Sequence, residues 1–198
     1  MVTRGFFGKK DKNDRVPPGQ YLENRFPVLS AEPTPKINLE DWNLSIIYDN
    51  ETLAEINWDT LKSLPSSLIT KDIHCVTRWT KFDMNWKGVK ISTLFENLKV
   101  KPPTDWTMIG SFTGYTTNVP LVDLIMEHTI ISYSYEDEPI SAEHGGPIRL
   151  IVPHLYFWKS AKWFDKITFL DEDTPGFWEN YGYHMYGDPW KEQRYSGK

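Results

Sequence analysis

Apolar positions along this chain come in short bursts of two different periods. From Trp42 to Tyr48 they predict a strand, and Asp49-Asn50 supplies a turn after it. Asn57 to Asp59 caps a short helix running toward Leu64, which Pro65 stops, and Leu68 to Val76 reads as a strand. The spacing then changes: Ile91, Leu94, Phe95 and Leu98 fall on one helical face within 89–98, and Pro102-Pro103 closes that element. Trp106 to Phe112 predicts another strand and Thr113 to Thr117 a loop. Pro120 opens a second helix with Leu121, Leu124, Ile125 and His128 on one side. Ile130 to Tyr135, Ile148 to Val152 and Ile167 to Leu170 complete the strands, and the acidic run Glu136-Asp137-Glu138-Pro139 makes a solvated turn. Many short strands with few short helices predict an α+β fold, a mixed domain with a β-rich core.

At 198 residues with 39% hydrophobic and 25% charged positions, the chain has the length and composition of one ordinary globular domain. Residues 1–20, polar and carrying Pro17-Pro18-Gly19, read as a flexible tail. Order is expected from Arg25-Phe26-Pro27-Val28-Leu29 onward, with Pro33-Thr34-Pro35 as a stiff connector and no second domain in 21–198. The net charge of -5 argues against a nucleic-acid backbone as partner. No apolar run is long enough for a membrane span, and the N-terminus has no apolar h-region. Cytoplasm is the expected compartment, and no membrane contact is expected.

Phosphate-loop, dinucleotide, nucleophile-elbow and zinc-helix motifs are all absent from the sequence. Chemistry therefore centres on Cys75, the one cysteine, which can act only as a lone thiolate: nucleophile, redox sensor, or one ligand of a metal held mainly by something else. Its bland reading is a small buried hydrophobe. His74 beside it points to the opposite face of a strand, so the two do not share an ion. Two later segments look suited to an anion. In Glu143-His144-Gly145-Gly146-Pro147-Ile148-Arg149 the glycines permit close backbone approach and the arginine can grip a phosphate. In Tyr156-Phe157-Trp158-Lys159-Ser160-Ala161-Lys162-Trp163 two lysines flank a small pair among rings. Each segment alone reads as a turn with core rings.

Taken in order, Cys75-Val76-Thr77-Arg78-Trp79-Thr80, Gly88-Val89, the stretch Gly145 to Pro153, Lys159-Ser160-Ala161-Lys162 and the tail from Gly176 through Tyr183-His184 to Trp190 resemble the molybdopterin-binding domain of the sulfite oxidase family. The likeness is to its compact bacterial and archaeal members, including the catalytic subunit of the methionine-sulfoxide reductase system. That resemblance implies an oxidoreductase with a molybdenum-molybdopterin cofactor, Cys75 being the metal's protein ligand and the catalytic residue. It also implies cofactor contacts at Asn24, Thr113, His144, Arg149, Ser160, Ala161 and Lys162, with the Ser160-Ala161 amides forming an anion nest. His144 stands where the small methionine-sulfoxide reductases carry asparagine.

Animal and plant sulfite oxidases place paired arginines soon after the cysteine, whereas only Arg78 follows here, with Trp79 and Lys81 nearby. The expected reaction is therefore oxygen-atom transfer as reduction of small S- or N-oxides, with sulfite oxidation by the same centre as the alternative. A non-catalytic cofactor- or partner-binding module, or a Cys75 nucleophile with a histidine base, are the competing readings. With no haem or iron–sulfur motif in the chain, an external electron carrier or redox partner is implied. The resemblance includes no dimer domain, so a monomer is expected.

Overall fold

Two-residue hairpins set the local pattern. In the computed structural model, which describes residues 14–197, β1 (Tyr21–Leu22) is followed by β2 (Asn43–Tyr48) and β3 (Glu51–Asn57). Asp49 and Asn50 join β2 to β3 at φ 47° and 61°. That is the twist-matched turn that asparagine and aspartate tolerate at low cost. Asn57 Oδ1 then accepts a hydrogen bond from Thr60 N at 2.9 Å and caps α1 (Trp58–Ser63). β4 (Ser67–His74), β5 (Trp79–Lys90), α2 (Ile91–Leu98), β6 (Trp106–Ser111), β7 (Thr116–Pro120) and α3 (Leu121–Leu124) follow. β8 (Ile130–Tyr135), β9 (Glu138–Pro139), β10 (Arg149–Ile151), β11 (Phe164–Leu170) and α4 (Phe177–Asn180) complete the described elements.

The strands form two sheets. In the first, β4 runs antiparallel along one edge of β5, while β1 and β8 share the other edge and β10 and β9 extend from β8. The second has the order β3-β2-β11-β6-β7, with β11 parallel to β2 and antiparallel to β6. Alternation along the first sheet divides its side chains between two apolar clusters. Leu150 and Ile131 join Trp42, Ile46, Ile109 and Ile167 in the core shared with the second sheet. Ile151 and Ile130 point the other way, into a second cluster with Ile73, Cys75, Trp79, Trp86, Tyr156 and Trp158. The first sheet is thus covered on both faces, and the cysteine belongs to the outer cover. Among the described residues no helix is long and apolar enough to cross a membrane.

The α+β class and α2, with Ile91, Leu94 and Phe95 buried, match the expectation. β3, β5 and β7 do not. β3 buries only Ile56 and carries no period. β5 lies in a sheet covered on both faces and is bulged where Asp83 takes φ 53°, so its alternation is broken. β7 begins within the expected 113–117 loop, taking its last two residues, and α3 is a single turn that ends before His128. Most of the expected flexible tail lies outside the described residues, but 14–20 is held down. Arg15 pairs with Asp72 and Asp83, and the Gln20 side chain donates to Cys75 O at 3.1 Å. Polar composition suggested a flexible tail here because the anchors of 14–20, at Asp72, Asp83 and Cys75, come from distant parts of the chain.

Candidate active site

Cys75 directly follows β4 and begins a tight turn into β5. Arg78 N donates back to Cys75 O and Cys75 N donates to Trp79 O, both at 2.9 Å, which forces Arg78 to φ 77°. The turn leaves the cysteine 7% exposed, with Thr77 Oγ1 donating to its sulfur at 3.1 Å. Burial pushes the thiol pKa up, and the Thr77 hydrogen bonds work against that shift.

The sulfur lines a cavity of about 320 Å³ whose walls are largely aromatic. Tyr183 stands between Trp178, stacked on it at 4.9 Å, and Trp158, which meets it edge-on at 5.0 Å. Burial raises the Tyr183 phenol pKa, so it remains an O–H donor at neutral pH. Phe26 closes another wall, lying flat on the His144 imidazole and edge-on to Trp79.

Basic groups collect among the 144–162 loops. Arg149, on β10, is 1% exposed and donates to His144 O at 2.5 Å and Ser160 O at 2.9 Å, with the Phe157 ring centroid 4.2 Å from its guanidinium carbon. Burial pulls its pKa down to about 9. Lys162 Nζ donates to Glu143 O at 2.5 Å, and burial followed by the charge of Arg149 lowers its pKa to about 8. Gly145, at φ 104°, lets its loop lie on Lys162, where a Cβ would come within 2.9 Å of that side chain. Burial and the two neighbouring cations depress the His144 pKa, so this ring is neutral at physiological pH.

Of the residues singled out in the sequence, Cys75, His144, Arg149, Ser160, Ala161 and Lys162 line this one cavity. Asn24 and Thr113 do not. Asn24 is exposed and its carbonyl accepts from Lys81 Nζ at 2.7 Å, while Thr113 pairs with Ser111 Oγ at 3.0 Å, one residue behind the wall. The expected amide nest is also altered, because Ser160 N donates to Phe157 O at 3.1 Å and Ser160 Oγ accepts from Val152 N at 2.8 Å. Phe26, Tyr115, Trp178 and Tyr183 complete the walls and were not assigned roles from sequence. The run Phe177 to Tyr183 carried a signal, since it belongs to the family-like tail, but no feature of it marks which rings face the cysteine.

The cavity suits an anionic heterocycle on its own chemistry. The buried atoms Arg149 Nε, His144 Nδ1 and Trp79 Nε1, all on lining residues, have no hydrogen-bond partner. Arg149 also has no carboxylate within ion-pair distance among the described residues. Unpaired polar groups and an unmatched buried cation are each costly, so both point to a ligand that supplies acceptors and negative charge. A phosphorylated pterin does so, and the thiol of Cys75 adds a soft donor for its metal.

Comparison with known proteins agrees. Residues 31–178 match the family model described as the oxidoreductase molybdopterin binding domain. The chain is 41% identical over 197 residues to the uncharacterized oxidoreductase YuiH of Bacillus subtilis (strain 168), covering 96% of this chain and 98% of that protein. It is 27% identical to the mitochondrial sulfite oxidase of Drosophila melanogaster over 82% of this chain, spanning 32% of that relative's length. In structure it resembles the sulfane dehydrogenase SoxCD from Paracoccus pantotrophus, with a TM-score of 0.61 at 19% identity over 70% of this chain and 40% of that one. The protein is thus an enzyme with a molybdenum-molybdopterin cofactor, and it belongs to the family of oxidoreductases with a molybdopterin-binding domain, to which the sulfite oxidases belong.

Proposed function

We propose that this enzyme reduces small, uncharged S- or N-oxides, with Cys75 as the protein's one ligand to molybdenum. The carrying observation is the make-up of the cavity around the sulfur. Arg78, the arginine nearest the cysteine in sequence, is exposed and does not line it. The lining cations, Arg149 and Lys162, are taken up by the cofactor's anionic end in this reading, and among the described residues no other lysine or arginine lines the cavity for a substrate. A dianion such as sulfite would lose its hydration without gaining a matching charge, whereas an S-oxide needs one or two donors and apolar walls.

When bound, the cofactor supplies two-electron oxygen-atom chemistry. The residues do the rest. Arg149, Lys162 and His144 hold the anionic end, Trp158 and Trp178 exclude water, and the Tyr183 hydroxyl offers a hydrogen bond to the substrate oxygen. Reduction of R₂SO to R₂S and water consumes two electrons and two protons. An external electron carrier provides the electrons, the cytoplasm is the proposed compartment and the working unit is a monomer.

The test is steady-state kinetics of the loaded enzyme with dimethyl sulfoxide and trimethylamine N-oxide under a reduced viologen, and with sulfite under ferricyanide. A higher kcat/KM for the oxides is expected. Faster turnover of sulfite would overturn the proposal in favour of sulfite oxidation.

A further inference from the structure

The carbonyls of the Cys75 turn are held from both ends of the chain. Gln20 Nε2 donates to Cys75 O at 3.1 Å and Tyr21 N to Arg78 O at 2.8 Å. From the other terminus, Arg194 Nη1 donates to Val76 O at 2.9 Å and Nη2 to Pro18 O at 3.3 Å, so one guanidinium ties the turn to the N-terminal arm. Arg194 is 7% exposed and its guanidinium carbon lies 5.0 Å from the Tyr156 ring centroid. The arms meet closely. Gly19 sits at φ 71°, and a Cβ there would fall 2.5 Å from Glu192 Oε1 and 3.3 Å from Arg194 Nη2. The C-terminal arm is itself fixed to the cavity wall, since Tyr195 bridges to Tyr183 and Ser196 N donates to Gly182 O at 2.9 Å.

Both arms lie outside the 31–178 segment that the family model matches. The family core therefore contains the cysteine and the hydrogen bonds within its turn, but not Gln20, Tyr21 and Arg194, which hold the turn's carbonyls from outside. We propose that residues 17–22 and 183–196 form a clamp that sets where the Cys75 sulfur points, with Arg194 and Gln20 as positioning residues. The assignment rests on the reading of Cys75 as the metal ligand. A turn whose carbonyls accept from two separate segments cannot shift its backbone, and with it the Cα–Cβ direction of Cys75, without breaking several hydrogen bonds together. Such outer contacts commonly govern how a ligand meets its metal, and small misplacements of reacting groups are expensive in rate.

The experiment compares Arg194→Gln, Arg194→Lys and Gln20→Met in loaded enzyme. It measures molybdenum and pterin per chain, the sulfur-to-metal charge-transfer absorption, kcat and KM, and the melting temperature of the cofactor-free form. Arg194→Gln should keep most of its cofactor and its melting temperature, shift the absorption band and lower kcat by about tenfold or more with little change in KM. Gln20→Met should act in the same direction, and Arg194→Lys, which keeps a donor for Val76 O, should recover much of the loss. An unchanged band and kcat in both Arg194→Gln and Gln20→Met would overturn the clamp. So would losses that merely follow cofactor content or melting temperature in both. A Cys75→Ser control separates the two readings: if it retains turnover, the metal-ligand assignment fails. If it is inactive while the arm variants behave as wild type, only the clamp fails.

Discussion

Lys159 Nζ and Glu179 Oε1 meet at 2.7 Å with neither side chain exposed to solvent. The pair joins the 157–162 turn to α4, the helix that carries Trp178 into the cavity wall. Lys159 also donates to Asn118 O, Asn118 Oδ1 and Met185 O, and the same Glu179 oxygen accepts from Trp158 Nε1 and Thr117 Oγ1. Removing one member of such a pair strands a buried charge, so Glu179→Ala should destabilise the cofactor-free protein by about 3–5 kcal/mol. Glu179→Gln keeps an acceptor and should cost less. Urea denaturation of the three proteins measures both.

Cys75→Ser should abolish turnover while most of the pterin stays bound, because the basic contacts at Arg149 and Lys162 do not involve the sulfur. Pterin fluorescence after denaturation, together with molybdenum content and activity, checks this. Full activity in the serine variant would refute the assignment.

Cofactor retention should weaken with rising pH. Lys162 carries its charge below its lowered pKa of about 8 and loses it above. An anionic ligand should therefore be held more tightly at neutral than at mildly alkaline pH, and Lys162→Met should flatten that dependence. The cofactor-free protein responds with the opposite sign. Between about 8 and the ordinary lysine value of 10.5 the unfolded chain binds the extra proton, so the Lys162 contribution to stability rises with pH across that window. Dialysis at neutral and alkaline pH followed by pterin assay tests the first, and urea titrations of cofactor-free protein test the second.

His74, at the end of β4, predicts an acid-side loss of stability. It is 4% exposed, its Nδ1 lies 3.0 Å from Thr80 Oγ1, and burial lowers its pKa from 6.5 to about 4. The native state keeps this ring neutral where the unfolded chain would protonate it. Its contribution is thus complete above 6.5 and is lost as pH falls toward 4. His74→Gln should show a shallower decline in urea midpoint over that range than the parent protein.

Elements with one buried face were the most legible from sequence. α2 announces itself through Ile91, Leu94 and Phe95, and β2 through Leu44 and Ile46, because each presents solvent to one side and core to the other. β5 hides because covering both faces of its sheet erases alternation, and the polar edge strand β3 hides because it has almost no core contact. The site was legible through the ordered set of motifs that carries the family resemblance, the lone thiol of Cys75, the Gly145–Pro153 stretch with Arg149 and the Lys159–Lys162 turn, and not through any one segment alone. Tyr183, Phe26 and Gln20 were not, since nothing local to them distinguishes a cavity wall from an ordinary aromatic surface or a polar tail. Asn24 and Thr113 show the converse. Each lies near a segment that does line the cavity, but its own side chain does not reach it.

The strand order of the second sheet bears on when this enzyme can be assembled. β11 is its middle strand, flanked by β2 from near the start of the chain and β6 from its centre. On the ribosome, the halves β3-β2 and β6-β7 have no shared partner until Phe164–Leu170 emerges, and the first cluster lacks Phe164, Ile167 and Phe169 until then. Pairing across such sequence separations is slow, and it leaves strand edges open to wrong partners in the meantime. The 157–162 turn runs directly into β11, so the basic wall forms in the same late event. Cofactor capture by Arg149 and Lys162 consequently has to wait until Phe164–Leu170 has been made and paired with β2 and β6.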